Sequence, residues 1–242
     1  MTGARVRALL LGLIAALAVA AVLFAFARPH QEAAPEPAAD KPTLLLLTSL
    51  PLMFGEEFSL EGGGSPALTA LQKQYRVVPI SVANPAELAK GRLLLMAQPI
   101  AQPAEDLVAL DAWVRQGGLL LLLADPLLEW PSDRPLGDPA RPPPMFADTG
   151  LLGHWGLRLD APDRRGPKQV QLGGQPVLAM SPGTLAGTGC TISSDGFVAR
   201  CKVGKGQVTV VADADLLDTE DLGKGAGGNL DALLAELDML GR

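Results

Sequence analysis

The side chains in this chain best suited to chemistry are carboxylates and two cysteines. Asp125 and Glu129 follow an all-leucine run, and Asp213, Asp215, Asp218, Glu220 and Asp221 form the densest charged cluster. Carboxylates near one another can exchange protons during hydrolysis, so a hydrolytic centre could be built from a pair such as Asp125 with Glu129. The later cluster suits a hard cation such as calcium, but its spacing is not that of an EF-hand loop. Aspartates also cap turns and helix starts. The expectation for this cluster is therefore a solvated loop, with no metal and no cofactor.

Thiol and hydroxyl chemistry find less support. An amidotransferase-type site needs a cysteine thiolate at a strand-to-helix elbow with a histidine close by. Residues 43–155 contain no cysteine, and their histidine, His154, sits beside Trp155 at an apolar helix end, where structural packing is expected. No G-x-S-x-G elbow occurs. The glycines before Ser65 lack the Lys-Ser/Thr of a phosphate-binding loop, which leaves a turn. The residues themselves thus point to a non-enzyme.

Cys190 and Cys201 lie on either side of Ser193-Ser194-Asp195-Gly196, a turn sequence. A hairpin turning there sets them on neighbouring strands, where a disulfide is geometrically possible. A bridge is favoured over free buried thiols if the compartment is oxidising.

The elements that must position these groups alternate between strand and helix. Apolar runs at 43–48, 75–81, 92–97 and 119–124 read as buried strands. Residues 65–74, with Ser65 as cap and Pro66 at the first helical position, read as a helix. So do residues 102–116, stopped by Gly117 and Gly118. This order predicts a doubly wound, mostly parallel α/β sheet. A proline-rich crossing over 131–144 and a helix near 145–155 follow. Short runs split by Gly, Pro and Asp over about 157–212 predict an antiparallel β extension, and 228–240 a closing amphipathic helix.

Ligands of open α/β sheets sit outside the carboxyl ends of the strands. The loops expected there begin at Leu50, Gln98 and Asp125, and Ser49, Glu56, Gln98, Asp125 and Glu129 are the candidate lining of a polar crevice. A lid packed on the sheet edge is the alternative for the first loop.

The N-terminal segment sets the expected location. Residues 8–27 (ALLLGLIAALAVAAVLFAFA) carry no charge and follow Arg5 and Arg7. About 20 apolar residues suffice to cross a bilayer, so residues 1–28 read as an anchor with its N-terminus inside. A cleaved signal peptide is the alternative. Residues 29–42 read as a Pro/Ala-rich tether, and 43–242 as one extracytoplasmic domain at the inner membrane.

The whole chain of 242 residues has net charge −6, a pI near 5.0, 48% hydrophobic residues and a mean hydropathy of +0.24. That balance excludes backbone-driven nucleic-acid binding and disorder throughout.

Three stretches carry a family resemblance: 92–126 (RLLLMAQPIAQPAEDLVALDAWVRQGGLLLLLADP), 151–159 (LLGHWGLRL) and 206–216 (GQVTVVADADL), the last followed by Asn229 and an apolar helix. In order, they resemble the auxiliary component of gliding-motility-type ABC transporters and related uncharacterised ABC-transport-system domains. The resemblance spans 43–240. It implies a class-I-glutamine-amidotransferase-like sheet that has lost its catalytic apparatus, working as an accessory beside an ABC permease and ATPase. The chain departs from longer members in having one anchor and one such domain. A glycan-, peptide- or lipid-binding module independent of a transporter is the alternative, ahead of a carboxylate-based hydrolase.

Overall fold

A computed structural model describes residues 41–53 and 64–241. The expected anchor over 8–27, most of the tether and the candidate Glu56 lie outside these residues. Among the described residues no helix is long and apolar enough to cross a membrane.

Leucine builds the centre. β1 (Thr43–Thr48), β3 (Leu93–Ala97) and β4 (Leu119–Leu123) are near-continuous leucine runs. Every residue of β3 and β4 is buried, which a strand achieves only when both faces of its sheet are covered. Replacing one such leucine by alanine costs about 2–5 kcal/mol. β2 (Arg76–Pro79) pairs parallel with β1, β1 with β3, and β3 with β4.

The helices cover the two faces. α1 (Pro66–Gln74) starts at Ser65, whose Oγ accepts the Leu68 N–H at 3.1 Å, with proline in its first turn. α2 (Pro85–Leu88) is capped in the same way by Asn84. α3 (Ala104–Arg115) has Glu105 and Asp106 in its first turn and Arg115 in its last, matching the helix dipole at both ends. It stops at Gly117, whose φ of 119° suits glycine. α5 (Asn229–Leu240) packs on α1, β4 and β11, whereas α3 packs on α2 and β11.

After β4 the chain leaves the sheet. It forms a proline-rich crossing, the short helix α4 (Leu151–His154), and two antiparallel ribbons. One ribbon pairs β5 (Leu157–Asp160) with β8 (Thr184–Gly187); the other pairs β6 (Pro167–Leu172) with β7 (Gln175–Met180). The chain then returns through β9 (Thr191–Ile192), β10 (Val198–Val203) and β11 (Gly206–Val211).

That return corrects the expected fold class. Of the strands over 157–212, β5 to β8 stand apart as the two antiparallel ribbons, but β9 to β11 are part of the main sheet. β11 pairs parallel with β4, and β10 and β9 add antiparallel beyond it. The result is one open, mixed seven-stranded sheet in the order β2-β1-β3-β4-β11-β10-β9. The physical reason lies in β11 itself. Val208 to Val211 are all buried, so this strand belongs at the middle of a sheet. Gly206 lets it enter, because a Cβ there would lie 2.1 Å from the Val114 carbonyl and 2.3 Å from that of Gly118. The helix expected over 145–155 shrinks to the single turn of α4.

Candidate functional site

Strand register brings two aspartates together. Leu123 at the end of β4 is opposite Val211 at the end of β11. Asp125 and Asp213 each follow by two residues, so they continue the same register on adjacent parallel strands. Residues two apart share a face, and neighbouring strands lie about 4.8 Å apart. Asp215 lies two residues further, in a 3-10 turn over Asp215–Leu217. Asp125, Asp213 and Asp215 are buried, at 0%, 0% and 3% exposure. Each offers a carboxylate oxygen within 4.8 Å of the other two.

Backbone amides hold these carboxylates in place. Asp125 Oδ1 accepts the Leu127 N–H at 2.8 Å and Oδ2 that of Ala214 at 2.9 Å. Asp213 Oδ1 accepts from Leu216 at 2.7 Å and Oδ2 from Met180 at 2.9 Å. Asp215 Oδ2 accepts from Glu129 at 2.8 Å. Its Oδ1 is buried with no hydrogen-bond partner among the described residues.

Burial dominates the protonation of all three. It pushes Asp125 up to about 6 against the pull of the Ala214 and Leu127 N–H groups. Asp215 is pushed up to about 8 by burial and then by the Asp125 charge. Asp213 is held well above the ordinary range by burial, then by the charges of Asp125 and Asp215.

Glu129 stands at the exposed side of the group. Its Oε1 accepts the Ser181 hydroxyl at 2.6 Å. Ser181 is buried, accepts the Gly166 N–H at 2.9 Å, and holds a φ of 49°. Glu129, Asp215, Asp218 and Asp221 line a cavity of about 70 Å³. That is room for water or a small ion and not for a larger ligand.

The other crevice candidates form the support behind this group. Ser49 donates its hydroxyl to the Gln98 carbonyl. Gln98 is fully buried at a φ of 43°. Its Oε1 accepts the Asp125 N–H at 3.0 Å, and its Nε2 donates to the Asp125 carbonyl at 3.2 Å and to that of Pro143 at 3.1 Å. Gln98 is thus occupied in holding the backbone after β4. Ser49, Gln98 and Asp125 form one hydrogen-bonded chain, and the Glu129 N–H holds Asp215 separately.

Burial of Asp213 and Asp215 corrects the expectation of a solvated loop there. A signal existed in the sequence: β4 and β11 are both apolar strands that end in Ala-Asp, at Ala124-Asp125 and Ala212-Asp213. Ser181 had no such signal. His154 is exposed rather than packed, and lies 3.5 Å from Asp111, which also accepts from Trp155 Nε1 at 2.9 Å. Cys190 and Cys201 form a disulfide with a Cα–Cα distance of 4.3 Å, at the position that the β9–β10 register predicts.

The sequence matches no known family and no curated protein. Solved structures do share the fold. The exo-β-1,4-mannosidase Op5Man5 from Opitutaceae bacterium strain TAV5 aligns over 82% of this chain at 15% identity and a TM-score of 0.51. The cytoplasmic protein STM1381 from Salmonella typhimurium LT2 aligns over 82% at 11% identity, also with a TM-score of 0.51. The alignment covers 99% of the Salmonella protein but only 36% of the mannosidase, so the chain spans about a third of the enzyme's length.

The expectation of a non-enzyme, acting as a non-catalytic transporter accessory, is corrected by these findings. A glycoside hydrolase contains the fold, and the carboxyl ends of β4 and β11 hold a buried carboxylate group. The missing cysteine–histidine pair excluded thiol chemistry and left carboxylate chemistry open.

Proposed function

We propose that this chain is a hydrolase whose reaction is carried by the carboxylates at the ends of β4 and β11. The observation that carries the reading is the convergence of Asp125, Asp213 and Asp215 behind the cavity bordered by Glu129. A water taken into that cavity would stand beside the exposed carboxylate of Glu129, with Asp215, Asp218 and Asp221 around it. One carboxylate takes the proton of the attacking water while a carboxyl group protonates the departing oxygen, so the bond breaks without charge building up on either side. The cavity admits water and the reacting atoms, and the rest of a substrate lies outside it. The fold shared with a β-1,4-mannosidase makes mannosides the first substrates to try.

The test is release of nitrophenol from a panel of nitrophenyl glycosides, β-mannoside first, by the purified full chain. Turnover lost in Glu129→Gln is expected. No turnover across the panel, or turnover indifferent to Glu129→Gln, rejects the reading.

We also propose that the domain works in an oxidising, extracytoplasmic compartment. The Cys190–Cys201 bridge supports this, since such bonds are rare where thiols are kept reduced. A difference in gel mobility between thiol-blocked and reduced protein, taken directly from cells, reads it out.

A further inference from the structure

We propose that Asp125, Asp213 and Asp215 together bind one hard divalent cation of the calcium class. This goes beyond the hydrolytic reading and stands without it.

The geometry fits such an ion. Calcium takes oxygen ligands at about 2.4 Å, so any two oxygens around it lie no more than about 4.8 Å apart. The three carboxylates meet that limit. Magnesium, with ligands near about 2.1 Å and a stricter octahedron, is the competing ion to compare.

The independent observation is the orphaned oxygen. Asp215 is 3% exposed, and its Oδ1 has no hydrogen-bond partner among the described residues. A buried carboxylate oxygen left unpaired is costly. A cation bound there supplies the missing partner and offsets the charge at once. The remaining oxygens each accept one backbone N–H, from Leu127, Ala214, Leu216, Met180 and Glu129. An ionised carboxylate has about four lone-pair sites, so these bonds leave room for metal ligation while they orient the ligands, as outer-shell partners do. The approach is acidic as well. Asp218, Asp221 and Glu129 line the cavity that leads to Asp215, a surface that draws in cations.

The experiment uses the full chain stripped with a chelator and titrated separately with calcium chloride and magnesium chloride, by calorimetry and by thermal melting. One calcium per chain is expected, saturating below about 5 mM, with a raised Tm. In Asp215→Asn the side-chain carbonyl still accepts the Glu129 N–H, so the variant folds, and calcium binding weakens by at least about tenfold. Absence of binding at that concentration overturns the proposal. So does undiminished affinity in Asp215→Asn, or a preference for magnesium over calcium. Should Asp215→Asn fail to fold, native mass spectrometry of the calcium-loaded wild type decides: one bound ion supports the site and none refutes it. A chain that binds calcium but hydrolyses no glycoside keeps this inference and loses the hydrolytic one.

Discussion

The side chain of Gln98 clasps the backbone of Asp125 at both of its polar groups, accepting the N–H at 3.0 Å and donating to the carbonyl at 3.2 Å. The pairing imitates a strand neighbour just where β3 and β4 have ended, and it sets the direction in which the Asp125 carboxyl leaves the sheet.

Removing that clasp leaves the buried Asp125 N–H unpaired, while the Asp125 carbonyl keeps the Phe146 N–H at 2.6 Å. Gln98→Ala is expected to destabilise the fold by about 1–3 kcal/mol, read from the midpoint of denaturant unfolding. Because Gln98 holds a φ of 43°, Gln98→Gly should be milder than Gln98→Ala by up to about 1 kcal/mol. Equal losses would mean that backbone strain is not stored there.

Stability should depend on pH through the aspartate group. Asp125 is pushed up to about 6 and Asp215 up to about 8, chiefly by burial. A carboxyl whose folded value is raised holds its proton more tightly in the folded chain than in the unfolded one. Its contribution is complete below the ordinary value near about 4, and is lost as pH rises through the folded value. In chelator, Tm should therefore fall between pH 4 and 8, roughly the window these values span. Asp215→Asn should flatten the upper part of that fall. A Tm that is level or rising across the window would contradict the assignment.

The ion pair between Arg200 and Glu236 should be asymmetric. Its oxygens and nitrogens lie 2.5 and 2.8 Å apart, yet the Glu236 side chain is 1% exposed and that of Arg200 45%. Arg200→Ala strands a buried carboxylate and should cost about 3 kcal/mol. Glu236→Gln leaves an arginine that can still reach water, and keeps one acceptor oxygen where Thr209 and Gly173 now use two, so about 1–2 kcal/mol is expected. Unfolding of the two single variants in parallel checks the order.

The disulfide closes a short loop, with the cysteines 11 residues apart. Chain entropy alone assigns such a bridge about 3 kcal/mol. The double variant Cys190→Ala/Cys201→Ala should lose that amount, as should the reduced wild type. Agreement between the two would separate the loss of the bond from any effect of the substitutions.

Much of the secondary structure is legible in the sequence. The leucine runs of β1, β3 and β4 read as strands buried on both faces, because they are short and present no polar alternation. Ser65-Pro66 and Gly117-Gly118 mark helix ends through local backbone chemistry. The cysteines flank a turn whose register needs no distant partner.

Tertiary structure alone decided which strands became neighbours. β11 resembles other short apolar runs in composition, and it pairs with β4 because Gly206 permits a close approach and both faces at that position are covered. That pairing turned two separate Ala-Asp steps into one buried carboxylate group. Charge in a sequence says nothing about exposure. The residues that bury Asp213 and Asp215, Glu129 and Met180 among them, come from distant parts of the chain. The carboxylates were visible from the start, and only the packing of β11 beside β4 made them a site.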